Sequence, residues 1–260
     1  MRRTKGFTLI ELVMVIVLLA IVATISVQFV ALSTRGALDV SARQQRALQN
    51  TVISEQIIRE LREAFPLSIR VAGGCIEWLP VEAVTNYAAL TTAPGFDDIS
   101  IAAFSTVPLV GSTRVVVYGY GSPQASLYGN GNPGPVSPRI AAGGIASNAI
   151  TLSAGHRFGS HSPEQRLYVI NTPVSLCQSG RFLYRYSDYG RATTQPVSFL
   201  SSATREVLSA NLLGSVDFSV APPTLKRAGV VQFTFTLQDY DTGSGETTTV
   251  SQEVQIRNVP

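Results

Sequence analysis

Charge is scarce in this chain: Asp, Glu, Lys and Arg make up only 14 % of its 260 residues. The formal net charge of +3 comes from the tip, where Arg2, Arg3 and Lys5 sit together; the other 17 basic residues balance 17 acidic ones. With the body so balanced and no basic run evident in its sequence, the pI near 9.0 is not evidence for nucleic-acid binding. Histidine is scarcer still. His156 and His161 flank Arg-Phe-Gly-Ser in a segment that reads as a surface loop, and two histidines are too few for a catalytic zinc centre. Ser153, Ser160 and Ser162 lie nearby, but no G-x-S-x-G elbow anchors a hydrolase triad. The run Gly129-Asn130-Gly131-Asn132-Pro133-Gly134 matches G-x-G-x-x-G in letters only, because Pro133 and Pro135 forbid the helix start that a dinucleotide site needs. The chain is therefore read as a non-enzyme, with no catalytic residue, no metal and no cofactor.

Cysteine is limited to Cys75 and Cys177, a spacing foreign to thioredoxin-type pairs and too few thiols for a zinc site. A disulfide follows if the body lies outside the cytoplasm; two buried thiols are the alternative. Asp239, Asp241 and Glu246 crowd a turn near the C-terminus. Such carboxylates can hold calcium, but the full twelve-residue loop is absent, and Asp and Gly are ordinary turn residues.

Proline is missing altogether from Leu12 to Phe65, and Gly36 is the only glycine there. One long helix is predicted, kinked or loosened near Gly36 and ending before Pro66. Its first half, from Phe7 to Val30, is almost wholly apolar. At about 1.5 Å per residue it spans roughly 36 Å, enough for a bilayer core of about 30 Å. In its second half Leu38, Leu48, Val52, Ile57, Leu61 and Phe65 recur at helical spacing, predicting an amphipathic extension whose apolar face is covered by the domain that follows. A coiled coil is the alternative, but the heptads are neither strict nor long.

One carboxylate, Glu11, sits inside the apolar run, where an ionisable group costs on the order of 2.5–3.5 kcal/mol on insertion scales and usually marks function. The basic tip ahead of it reads as a positive-inside signal. An ordinary secretory signal has its small-residue cleavage site after the apolar region; here the glycine, Gly6, comes before it.

The short basic leader with Gly6, Phe7, Thr8, Leu9 and Glu11 resembles the type IV pilin and pseudopilin family. The resemblance implies cleavage between Gly6 and Phe7 by prepilin peptidase, N-methylation of Phe7, and a role for Glu11 in placing the subunit against its neighbours. It implies as partners the membrane, the peptidase, and other major and minor pilins of the same filament. It also implies a single-pass inner-membrane protein with a cytoplasmic N-terminus and a periplasmic head, later incorporated in a pilus, with the tip as one location. Further stretches resemble minor pilin-like proteins of mannose-sensitive haemagglutinin (MSHA) systems: Cys75-Ile76-Glu77-Trp78-Leu79-Pro80-Val81, Ser162–Val169, Pro173–Cys177, Arg185-Tyr186 and Asn258-Val259-Pro260. The J-type minor pseudopilin of type II secretion is the nearest rival, and a tip adhesin is the rival of another class.

The expected organisation is a leader (1–6), a transmembrane helix (7–30), its amphipathic extension (31–65) and a β-rich head (66–260). The fold class is α+β, a long N-terminal helix packed on a mostly antiparallel β-rich head. Short strands are predicted at Ile76–Val81, Ile99–Phe104, Arg114–Tyr120, Ala149–Leu152, Leu167–Val169, Phe182–Tyr186 and Val216–Val220. A C-terminal hairpin is marked by alternation at Val231, Phe233, Phe235 and Leu237, then at Val250, Val254 and Ile256. The Gly- and Pro-dense stretch 119–144 reads as irregular. Tyr184, Tyr186 and Tyr189, near Arg185 and Arg191, read either as a binding surface or as half-buried sheet residues.

Overall fold

The computed structural model describes residues 6–90, 97–108, 111–198, 203–238 and 245–257. Helix α1 (Leu9–Arg62) runs for 54 residues. It passes through Gly36 as uninterrupted α-helix, so the loosening predicted there is absent. A solitary glycine costs only about 1 kcal/mol relative to alanine, which a helix of this length absorbs. Termination before Pro66 is as expected. A 3₁₀ turn (Pro66–Ser68) follows, in which the Ser68 hydroxyl donates to Phe65 O at 2.6 Å and accepts from Leu79 N at 3.0 Å.

Two compact units divide the chain: Met1–Gln49 with Asp239–Glu246, and Asn50–Gln238 with Thr247–Pro260. In the first, Glu246 is clamped by two guanidinium groups of α1. Arg43 Nε and Nη2 reach its two carboxylate oxygens at 3.0 and 2.6 Å, and Arg46 Nη2 adds a second ion pair. The Arg43 bond holds the Glu246 carboxyl below its usual range and raises the Arg43 guanidinium in turn.

The second unit is built from antiparallel ladders in three assemblies. Strands β1 (Arg70–Ala72), β2 (Cys75–Trp78), β9 (Val174–Ser179), β10 (Phe182–Ser187) and β11 (Thr204–Ser209) form a five-stranded sheet in that order. Strands β12 (Asp217–Ala221), β13 (Gly229–Gln238) and β14 (Thr247–Ile256) form a three-stranded one. The remaining six close into a barrel: β3 (Val81–Ala89), β4 (Asp98–Ile101), β5 (Arg114–Val117), β6 (Val136–Ile145), β7 (Ala149–Leu152) and β8 (Arg166–Ile170). All six barrel strands lie in sequence between β2 and β9. Those two strands pair directly, with Cys75 opposite Cys177, and a disulfide joins the two cysteines across a sequence separation of 102.

The alternation along the strands fixes what each face meets. On the five-stranded sheet Ile76, Trp78, Val174, Leu176 and Leu183 point one way. They share a core with Ile53, Ile57 and Leu61 of α1 and with Phe233, Phe235 and Val254 of the hairpin. Each such side chain contributes about 1.5–3 kcal/mol of burial. The buried face of α1 thus runs through Ile53, Ile57 and Leu61, which corrects part of the sequence reading: Leu38, Leu48 and Val52 are exposed. At 100° per residue Leu48 and Val52 fall on the side of the helix opposite Ile57, and the sheet can cover only one side. The barrel interior is filled by Val115, Val117, Ile140, Ile150, Leu167 and Val169. On its outside, Val116, Tyr168 and Ile170 pack with Phe65, Leu79 and Tyr128.

The stretch 119–144 is more ordered than its composition suggests, a second correction. It holds a helical turn, α2 (Ala125–Tyr128), and most of β6. Pro138 and Gly144 hide this strand in the sequence. Its pairings carry register shifts, between Ile140 and Ile145 and opposite Arg114–Val116, which is where a strand tolerates such residues. Gly144 is required by close approach, because a Cβ there would lie 2.5 Å from Thr151 O. The glycine run 129–134 has a helical turn before it and a strand after it, the reverse of a dinucleotide-binding unit.

Candidate functional site

The N-terminal segment is organised by Thr8. Its carbonyl accepts the first helical bond from Leu12 N at 3.2 Å, and its hydroxyl accepts from Glu11 N at 3.4 Å. Thr8 is therefore the N-cap and Glu11 the third helical residue, the spacing of a capping box. The T-x-x-E signature that marks such a cap is legible in the sequence at the start of the apolar run. The placement puts the Glu11 carboxylate in the first turn, where the helix dipole favours an anion.

Gly6 and Phe7 precede the cap in non-helical backbone and are exposed. Nothing lies within 4 Å of the position a Cβ on Gly6 would take, so packing within the described residues does not call for glycine there. Phe7 is 74 % exposed. From Leu9 onward the apolar side chains are bare all round the helix, Leu9, Ile16 and Phe29 among them. The most apolar 18-residue window has a mean hydropathy of 2.8 and none of it is buried, which suits a bilayer span or a helix bundle made with other chains. Two hydroxyls of this stretch turn back to the helix backbone, as suits a lipid setting: Thr24 donates to Ile21 O and Thr34 to Val30 O, both at 2.8 Å.

Residues 1–27 match the prokaryotic N-terminal methylation motif. This motif is typical of type IV pilins and pseudopilins, whose members are structural rather than enzymatic. With the exposed apolar helix it points to a membrane-anchored prepilin processed by prepilin peptidase. Searches of curated proteins and of solved structures found no match.

The other side chains singled out in the sequence go elsewhere. Tyr184 and Tyr186 are half-buried on the sheet face away from α1; the Tyr184 ring stacks on Phe182 at 5.6 Å, and the Arg205 guanidinium lies over it at 4.7 Å. Arg185, one residue on, faces α1 and pairs with Glu60 at 3.0 Å. His156 is buried, not on the surface as read from sequence. Its Nε2 donates to Gly134 O at 3.1 Å, its ring meets Phe158 edge-on, and burial pushes its pKa below the usual value. The hydrogen bond draws the ring inward, a long-range contact that loop composition does not reveal. Among the described residues no group of His, Cys, Asp and Glu could hold a metal ion. Of the turn carboxylates, Glu246 is occupied by Arg43 and Arg46, and Asp239 and Asp241 lie outside the described residues.

A buried ionic network has no local signature in the sequence. Glu77 on β2 is fully buried and takes Arg70 Nε on one oxygen and the Tyr189 hydroxyl on the other, the latter at 2.9 Å. All three guanidinium nitrogens of Arg70 are engaged: Nη1 and Nη2 donate to Thr193 O and Ala192 O, both at 2.7 Å, and the group covers the Tyr128 ring at 3.5 Å. Tyr189 also meets Ser175 at 2.6 Å, and Gln195 reaches Cys75 O at 3.0 Å. Burial pushes the Glu77 carboxyl up, and burial with the nearby Glu77 charge does the same to Tyr189. The bonds of Tyr189, Ala192, Thr193 and Gln195 tie segment 189–195 to β1, β2 and β9, with Gln195 reaching the disulfide residue Cys75, a structural clasp.

Proposed function

We propose that the chain is a minor type IV pilin-like subunit of the MSHA biogenesis type, resembling the MshO protein, which helps initiate, cap or assemble a pilus. Residues 1–6 are its leader, 7–30 its membrane span, 31–65 the extension and 66–260 the head. Prepilin peptidase cuts between Gly6 and Phe7, and the new amine at Phe7 is methylated. Glu11 then faces the positive N-terminus of a neighbouring subunit, since a carboxylate in a low-dielectric setting gains most from an opposite charge. The subunit stays in the inner membrane with its head in the periplasm until it joins the filament.

The observation that carries this reading is a methylation-motif match placed on a non-helical, exposed Gly6–Phe7 peptide directly before a bare apolar helix. A minor role is supported by size: the body after Phe65 is about 195 residues, a broad head that fits a filament end better than a dense array. The exposed Leu38, Leu48 and Val52 extend the apolar surface beyond the span and suit a neighbour's helix.

The test is co-expression with prepilin peptidase and intact-mass measurement. The wild type loses Met1–Gly6, and Gly6→Val retains it; unchanged processing of the variant sinks the reading. Glu11→Ala is expected to be cut normally but to lower pilus number in a piliated host, and undiminished piliation would remove its registering role.

A further inference from the structure

A cleft of about 460 Å³ opens on the outside of the barrel, lined by Arg114, Arg139, Ser137, Ser153, Asn130 and His156 among others. Among the described residues no carboxylate lines it. Arg114 on β5 and Arg139 on β6 are directly paired across the two strands. Like charges in that position are destabilising, and neighbouring sheets usually avoid them. Neither guanidinium has an ion-pair partner among the described residues. Arg114 is half-buried and uses Nη1 on Ser137 O at 2.9 Å; Arg139 is exposed at the rim.

A third cation stands close by. Arg191 gives Nη2 to Leu127 O and Gly129 O, while its Nε and Nη1 are buried without a hydrogen-bond partner. Burial and the charge of Arg114 bring its pKa down to about 10. Burial, with Arg139 adding to it, lowers Arg114 likewise. Arg114 thus stands between two cations, paired with Arg139 across the strands and within electrostatic reach of Arg191, and no carboxylate lines the cleft to balance them.

We propose that this cleft binds a divalent oxyanion, a phosphate or sulfate group, between the guanidinium groups of Arg114 and Arg139. The fork of arginine matches tetrahedral oxyanions through paired N–H donors, and a divalent charge offsets two cations at once. The Ser153 hydroxyl and the Asn130 amide line the same cleft and can complete the shell. The cleft has room for the group as a free ion or as an ester on a larger molecule. This inference is independent of the pilin reading.

The experiment uses the full chain in a nonionic detergent. Thermal unfolding is followed while inorganic phosphate, inorganic sulfate or dextran sulfate is titrated against sodium chloride at matched ionic strength. The wild type is expected to show a saturable rise in Tm with the divalent ions. A response to dextran sulfate alone would place the anion on a polymer and still support the site. Arg139→Gln, an exposed substitution, should weaken the response about tenfold or more, the usual effect of losing a charge-assisted contact. Arg139→Glu should abolish it and raise the Tm of the unliganded protein, because a carboxylate then faces Arg114. No saturable response in the wild type, or an equal one in Arg139→Glu, overturns the proposal.

Discussion

Replacing Glu77 by Gln removes one charge from the buried network and keeps its shape. Arg70 then remains, 8 % exposed, with two carbonyls and an aromatic face but no counter-charge. Breaking a buried pair from one side typically costs about 3–5 kcal/mol, because the remaining charge is stranded away from water. For a body of this size each kcal/mol moves Tm by about 2–4 °C, so a fall of roughly 6–20 °C is expected. Near-UV circular dichroism during heating gives the number. Limited proteolysis gives the location, since cleavage should quicken between residues 188 and 198, where Tyr189, Ala192 and Thr193 are tied to the pair. The double variant Arg70→Met/Glu77→Leu removes both charges and should lose less than Glu77→Gln alone. A drop under about 3 °C for the single variant, or a larger loss for the double one, would refute the reasoning.

Leu61→Ala, at a fully buried position of α1, should cost about 2–5 kcal/mol in denaturant unfolding, whereas Leu48→Ala on the exposed side should stay within about 0.5 kcal/mol. The buried His156 has its pKa lowered below 6.5, so the unfolded chain binds the proton more readily. Stability should therefore decline as pH falls below about 6.5 and be unaffected by this group above it. Denaturant midpoints measured between pH 5 and 8 test this, and His156→Gln should flatten that part of the slope.

The sequence was most legible where the signal is local. Thr8 and Glu11 sit within one turn, and α1 announces itself by the lack of proline up to Phe65. Strand β7 falls where predicted, and the alternation of Val231, Phe233, Phe235 and Leu237 marks β13 because one face is core and the other wet. Strand β6 was hidden by Pro138 and the glycines at 143 and 144, which the barrel tolerates at its register shifts. Strand β11 was hidden by its polarity, Thr204-Arg205-Glu206, as suits a sheet edge. The buried side of α1 was misread because periodicity says that a helix has an apolar face without saying which of two stripes the sheet will take. The Arg70–Glu77–Tyr189 clasp and the Arg114–Arg139 pair join residues distant in sequence, and no spacing rule reaches them.

The nesting of the barrel between β2 and β9 has a consequence for the order of folding. Zipping β2 to β9 unaided means closing a loop of about 100 residues, an entropic cost that grows only slowly with length but must be met before any contact compensates it. Once the barrel forms, the chain entering at Val81 and the chain leaving at Ile170 are held as pairing partners. The ends to be joined then lie side by side, and a distant pairing becomes a local one. The barrel acts as a parenthesis closed first, within which the sentence of the larger sheet can be completed. Such a parenthesis can be lengthened, shortened or exchanged without rewriting the text on either side, provided its two brackets stay together.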